Sequence, residues 1–224
     1  VAERDAALGD ELEDRGGHDR LGDRGERADR READAGSRGA RDRLGARTYL
    51  PAHETIGLCQ DKLELTRHLA ARGIRVPETH PIGNPEQAKE VFCRFGQPDR
   101  LWCRMRRGGG SKGSLPVKNP DQVRFWVSYW TEMRGVPEGM FLLCEYLPGR
   151  DYAVQSLWHE GELIQAKTCE RLEYLFGGIM PSGSSSTPRV ARTINAPVIN
   201  DLCVATVRAV DPRATCLFCI DLKE

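Results

Sequence analysis

Leu101-Trp102-Cys103-Arg104-Met105 is a short, mostly apolar run, and Arg106-Arg107-Gly108-Gly109-Gly110-Ser111-Lys112-Gly113-Ser114 leads from it into Leu115-Pro116-Val117. Residues 108–113 satisfy G-x-G-x-x-G, a pattern that several nucleotide folds share and that is weak by itself. A dinucleotide site needs a helix after the glycines, whereas Leu115-Pro116-Val117 is strand-like. A P-loop needs Lys followed by Ser or Thr, whereas Lys112 is followed by Gly113. The stretch therefore reads as a flap between two strands. Its glycines let backbone N–H groups approach phosphate oxygens closely, and Arg104, Arg106, Arg107 and Lys112 supply positive charge. A flexible surface loop with solvated cations has the same composition.

On either side of the flap, helices and strands alternate. Asp61 to Ala71 predicts a helix, with Leu65 and Leu69 four apart and Gly73 just past its end. Asn84-Pro85-Glu86-Gln87 is a second helix start: Asn as N-cap, Pro at the first helical position, Gln three residues on. Ala88, Val91, Phe92 and Phe95 form its buried stripe. Asn119-Pro120-Asp121-Gln122 repeats that opening ahead of Val123, Trp126, Val127 and Trp130, a stripe read as core packing. A last helix is expected from Pro197 to Val210. Phe141–Leu147 predicts a buried strand, Tyr152–Trp158 and Glu162–Ala166 a hairpin, and Leu217–Asp221 a strand ending in a carboxylate. Without strict βαβ spacing, the expected class is α+β, antiparallel sheets covered by helices.

Composition sets further bounds. The chain has 224 residues with 33 Lys+Arg against 33 Asp+Glu, a balance unlike that of a general nucleic-acid binder. No apolar run reaches membrane-spanning length. Residues 1–47 hold 11 Arg and 13 Asp or Glu and no Lys, aromatic, Ile, Met, Cys or Pro. Such a segment buries too little to offset chain entropy, so the expectation is a disordered charged arm; its vocabulary is also what a GC-rich gene read out of frame yields. With no export signal opening the chain, its eight cysteines read as reduced thiols of a cytoplasmic protein. Cys216-x-x-Cys219 has no second pair to complete a zinc set.

Residues 51–224 resemble the ATP-grasp superfamily, most closely its carbamoyl-phosphate synthase and biotin carboxylase branch. Four segments match in order. Cys59-Gln60-Asp61-Lys62 is similar to the Asp-Lys pair that opens the family's nucleotide region. Arg104, Gly108, Gly109, Gly110, Lys112 and Gly113 fall at the spacing of its phosphate flap. Cys144-Glu145-Tyr146-Leu147-Pro148-Gly149-Arg150-Asp151 is similar to the strand that holds adenine, and Phe218-Cys219-Ile220-Asp221 to the strand bearing the first Mg²⁺ carboxylate.

The resemblance implies a two-lobed ATP-grasp fold, with an N-terminal lobe at 51–140 and an incomplete C-terminal lobe at 141–224. It implies that Lys62, Arg104 and Lys112 reach ATP phosphates, with Arg104 and Lys112 acting on the transferred group. Glu145, Tyr146 and Leu147 would hold adenine, with backbone groups of Glu145 and Leu147 toward its edge. Asp151 would accept from the ribose, and Asp221 would bind Mg²⁺. Pro181–Ser186 resembles a substrate-side loop, and Lys167, Arg171 and Arg192 would add charge near the γ-phosphate. The implied reaction is ATP-dependent ligation of a small carboxylate through an acyl phosphate, with no nucleic-acid or membrane partner. The family places Glu-x-Asn about a dozen residues beyond the first metal carboxylate, and Glu224 lies three past Asp221, so the domain is expected to be C-terminally truncated; the alternatives are a nucleotide-binding fragment without turnover and a non-enzymatic interaction module using the charged arm.

Overall fold

The computed structural model describes Gly45, residues 49–185 and residues 187–224; the expected charged arm, Gly45 apart, lies outside them. Tyr49–Glu224 forms one compact unit. In chain order its elements are α1 (His53–Gln60), α2 (Lys62–Ala70), β1 (Thr79–Ile82), a 3-10 turn (Pro85–Gln87), α3 (Ala88–Arg94), β2 (Leu101–Met105), β3 (Leu115–Val117), α4 (Pro120–Arg134), β4 (Phe141–Glu145), β5 (Asp151–His159), β6 (Glu162–Tyr174), β7 (Pro188–Thr193), α5 (Pro197–Val210) and β8 (Leu217–Lys223). The class is α+β, with two antiparallel four-stranded sheets ordered β1-β4-β2-β3 and β7-β6-β5-β8. No described helix is long and apolar enough to cross a membrane.

The helix starts form as their sequences dictate. Asn119 Oδ1 accepts from the Gln122 N–H at 2.9 Å, and Pro120 fills the first helical position of α4. Asn84 does the same for Gln87 at 3.2 Å, although its first turn is 3-10 and the α-helix begins only at Ala88. Gly135, left-handed at φ 62°, closes α4. One face of the first sheet (Ile82, Leu101, Cys103, Met105, Val117, Phe141, Leu143) packs on Val91 and Phe92 of α3 and on Val123 and Val127 of α4. Trp126 and Trp130 flank that core, and the Trp126 indole N–H donates to the Gly113 carbonyl at 3.0 Å, tying the end of the flap to α4.

β4 pairs with both β1 and β2, so residues 141–145 belong to the first sheet. The chain passes between the sheets at 146–150. The second sheet lays Trp158, Phe218 and Ile220 against Val204 and Val207 of α5. The β5–β6 hairpin turns through two left-handed residues, Glu160 at φ 50° and Gly161 at φ 86°. Helices α2 and α5 meet where His68 Nε2 hydrogen-bonds the Ala209 carbonyl at 2.8 Å, and the Thr55 hydroxyl of α1 donates to Asp211 at 3.3 Å.

Gly113 is the flap glycine that packing requires. Its φ is +67°, and an added Cβ would lie 2.9 Å from Met105 Cγ, whereas nothing lies within 4 Å of one added at Gly109. Gly113→Ala should therefore cost about 1–2 kcal/mol of stability, a strain estimate, and Gly109→Ala close to none. Urea unfolding midpoints of the two variants check this.

Candidate functional site

The other face of the first sheet carries Arg104 and Leu142, side by side, and Trp102 and Cys144, also side by side. Leu63, from the first turn of α2, packs on Leu142, Cys144 and Trp102. The turn that starts α2 is built around Asp61. Its carboxylate, 3% exposed, caps the helix by accepting from the Glu64 N–H at 3.3 Å. It also accepts from Arg106 Nε at 2.7 Å and from Arg107 Nε and Nη2 at 3.1 and 2.8 Å. Burial alone would raise this carboxyl's pKa, but the two guanidinium groups outweigh it and hold the group well below the usual carboxylate range. The Lys62 N–H donates to the Arg106 carbonyl at 3.0 Å, and the Arg106 N–H to the Met140 carbonyl at 2.7 Å. Arg106 and Arg107 thus anchor the base of the flap; they are not the phosphate-facing charge expected of them.

Two other cations are left without a carboxylate. Lys62 Nζ donates to the Gly108 carbonyl at 2.6 Å. Burial, and next the charge of Arg104, lower its pKa, with Asp61 and Cys144 opposing. The Arg104 side chain makes no hydrogen bond or ion pair among the described residues, and its Nε is buried and unpartnered. Exposed Lys112, on the flap, also has no partner among them. Gly108, Gly109 and Gly110 are exposed, and Gly108, Gly110 and Ser111 have positive φ. Lys62, Arg104 and the flap thus come together as a cationic cradle whose repulsion an anion would relieve.

The flap leaves β2 at Met105, opposite Phe141, while Glu145 lies opposite Leu101. The expected base-holding segment therefore leaves the other end of the same pair of strands, about 14 Å away at ~3.4 Å per residue. The Glu145 N–H donates to the Glu78 carbonyl at 2.8 Å, so any backbone group it offers a base is its carbonyl. Leu147 makes no hydrogen bond among the described residues, so its backbone groups remain available.

On the second sheet, residues alternate between α5 and an open face. Asp151 and Ala153 of β5, Cys169 and Arg171 of β6, and Cys219, Asp221 and Lys223 of β8 share the open face. Asp221 Oδ1 accepts from Arg171 Nη2 at 2.5 Å, and Asp151 Oδ2 from Lys223 Nζ at 2.8 Å. Arg171 thus joins Asp221, and exposed Lys167 lies on the same face. Arg192 does not: it pairs directly with buried Glu170 at 2.5 Å, on the α5 side. A cavity of about 450 Å³ beside that pair and the start of α5 also lies on that side, away from Asp221. The Ser/Gly loop makes turns between β6 and β7, where the Ser182 hydroxyl donates to the Ser184 carbonyl at 2.7 Å; Ser186 lies outside the described residues. No hydrogen bond or ion pair among the described residues joins the flap to Asp151 or Asp221.

A metal at Asp221 is compatible with the donor chemistry. The carboxylate is 68% exposed and keeps Oδ2 unbonded, which suits an ion that prefers oxygen ligands. Among the described residues no group of three His, Cys, Asp or Glu side chains is placed to hold a metal, so such an ion would depend on ligand oxygens as well. The described cysteines are free thiols; burial pushes Cys216 up to about 11 and Cys203 up to about 12.

No protein-family model matches this sequence, and no curated protein sequence matches it. Solved structures do. D-alanine–D-alanine ligase from Bacillus anthracis superposes with a TM-score of 0.60 at 15% identity, over 83% of this chain and 59% of that one. N5-carboxyaminoimidazole synthase from Aspergillus clavatus, in complex with ADP and 5-aminoimidazole ribonucleotide, gives 0.59 at 15% identity, over 77% and 43%. L-amino acid ligase from Bacillus licheniformis gives 0.55 at 14% identity, over 83% and 41%. The chain therefore has the ATP-grasp fold, and it spans about half the length of the structures it matches.

Proposed function

We propose that this chain is the nucleotide-handling part of an ATP- and Mg²⁺-dependent ligase that activates a small carboxylate as an acyl phosphate. The observation that carries this reading is the pair Lys62 and Arg104, two neighbouring cations with no carboxylate partner beneath a glycine-rich flap. Ligase neighbours of the same fold, one of them complexed with ATP, support it. Within the superfamily, Arg rather than Lys at 104 is similar to the carbamoyl-phosphate synthase branch.

The roles follow from placement. Lys62 and Arg104 take the phosphate charge, Arg104 by forking onto phosphate oxygens. Amides of Gly108–Gly110 and the Lys112 side chain close over the phosphates, and Gly113 fixes the flap's return. Tyr146 and Leu147 meet the base, and Asp151 the ribose. Asp221 holds Mg²⁺, which when bound offsets charge on the phosphate oxygens. An acceptor carboxylate oxygen attacks the γ-phosphorus, the bond to the bridging oxygen breaks, and ADP leaves; an amine or other nucleophile then displaces phosphate from the acyl carbon. The protein contributes position and charge rather than covalent chemistry.

In calorimetric titration ATP should bind, and it should raise the unfolding temperature. Mg²⁺ should tighten ATP less in Asp221→Asn than in the parent. Failure of ATP to bind or protect overturns the reading; ATP binding with no phosphate release across carboxylate and amine mixtures restricts it to nucleotide binding.

A further inference from the structure

The carboxylate read above as a metal ligand already holds a cation from its own sheet. Strand register sets three rows on the open face of the second sheet: Lys223, Asp151 and Arg171; then Asp221, Ala153 and Cys169; then Cys219, Gln155 and Lys167. Arg171 therefore starts two strands and one row away from Asp221, yet its Nη2 reaches Asp221 Oδ1 at 2.5 Å. Ala153, on the strand between them, carries only a methyl group, which leaves the guanidinium group room to cross β5.

This ion pair is unlike the exposed ones. The Arg171 side chain is 12% exposed, whereas the arginines that pair with Glu64, Glu90 and Glu224 are more than half exposed. Tyr174, which also hydrogen-bonds Asp151, hydrogen-bonds Arg171, but the Arg171 Nε is buried without a partner. A guanidinium group taken out of water with one N–H unsatisfied favours any further anion that comes within reach. Across the three rows Lys167, Arg171 and Lys223 outnumber Asp151 and Asp221. This face thus has no surplus negative charge with which to draw a divalent ion by itself.

We propose that Arg171 is a positioning residue that occupies Asp221 as a resident counter-cation, so that a divalent ion gains this carboxylate only together with an anionic ligand that takes Arg171 over. The inference rests on the metal and nucleotide readings above and adds the coupling between the two. Phosphate oxygens supply both the acceptor that Arg171 lacks and the negative charge that the metal needs.

Mn²⁺ shares the oxygen preference of Mg²⁺. It is titrated into the full chain, with and without ATP, and followed by the paramagnetic resonance signal of the free ion. Without ATP, Arg171→Gln should bind Mn²⁺ about tenfold more tightly than the parent, the scale of one unit charge removed from beside a divalent ion. The gain should vanish in Arg171→Gln/Asp221→Asn. The factor by which ATP tightens Mn²⁺ should be about tenfold smaller in Arg171→Gln than in the parent, a ratio that a merely structural role would not move. Arg171→Lys keeps the charge with a shorter reach and should fall between the two; it carries the test if Arg171→Gln fails to fold. Equal ATP-free Mn²⁺ affinity in the parent and the folded Arg171 variants, a gain that persists without Asp221, or an unchanged ATP factor overturns the counter-cation. An Asp221→Asn variant that binds Mn²⁺ with ATP as the parent does overturns both the metal reading of Asp221 and the counter-cation. A parent that binds no ATP overturns the nucleotide reading, and the ATP-free comparison then decides alone whether Arg171 competes for Asp221.

Discussion

Arg104→Ala is expected to weaken ATP binding roughly 10- to 100-fold, the loss that follows from removing charge-assisted hydrogen bonds worth about 1.5–3 kcal/mol. It should do so without destabilising the fold. Arg104 has no protein partner to lose, its buried Nε is unsatisfied, and it raises the cost of keeping Lys62 charged. The unfolding temperature of the apoprotein should stay level or rise. Arg104→Lys should recover part of the affinity, because a point charge replaces the fork. An ATP dissociation constant unchanged in Arg104→Ala would remove this residue from the phosphate site.

Asp61→Asn should have the converse signature, a large loss of stability. The carboxylate is buried and accepts four N–H groups, three of them from guanidinium groups. Asparagine offers one acceptor oxygen and no charge, leaving two arginines uncompensated at the base of the flap. With Arg107 more than a third exposed, solvent screening reduces the loss, and about 2–4 kcal/mol is expected. Because the folded-state pKa is depressed below the ordinary 3.8, the stabilisation is fully present above that value. It is lost as pH falls through the lower folded-state pKa. The parent should therefore lose stability on acidification below pH 4 more steeply than Asp61→Asn, whose profile lacks this titration. Denaturant unfolding of both proteins from pH 7 into acid measures the difference; parallel profiles would show that Asp61 carries none of it.

The two predictions separate cations that composition presents alike, and of which the family resemblance singles out Arg104 alone. Arg104, Arg106 and Arg107 lie within four residues of one another, and composition gives no reason to treat them differently. Strand alternation turns Arg104 onto the face shared with Leu142, whereas the chain beyond Met105 bends Arg106 and Arg107 toward Asp61, 45 and 46 residues earlier. The same limit applies to β6. The hairpin is expected to end at Ala166, ahead of the polar stretch Lys167-Thr168-Cys169-Glu170-Arg171. The strand continues to Tyr174 because the polar groups facing α5 find partners there: the Thr168 hydroxyl bonds Asn200, and Glu170 pairs with Arg192. Proline concealed β1. Pro81 cannot donate to a ladder, which β1 tolerates because it is an edge strand.

Local chemistry determined a good deal of this protein. The Asn-Pro helix starts, the strand–glycine flap–strand, the hairpin and the α+β class rest on capping, φ freedom and hydrophobic period, which act over a few residues and are written in order along the chain. Which cations stay unpaired, which carboxylate is buried between two arginines, and which face of each sheet lies open were decided only when segments tens of residues apart packed together. Charge neutralisation is a property of neighbours in space, and sequence order does not contain it.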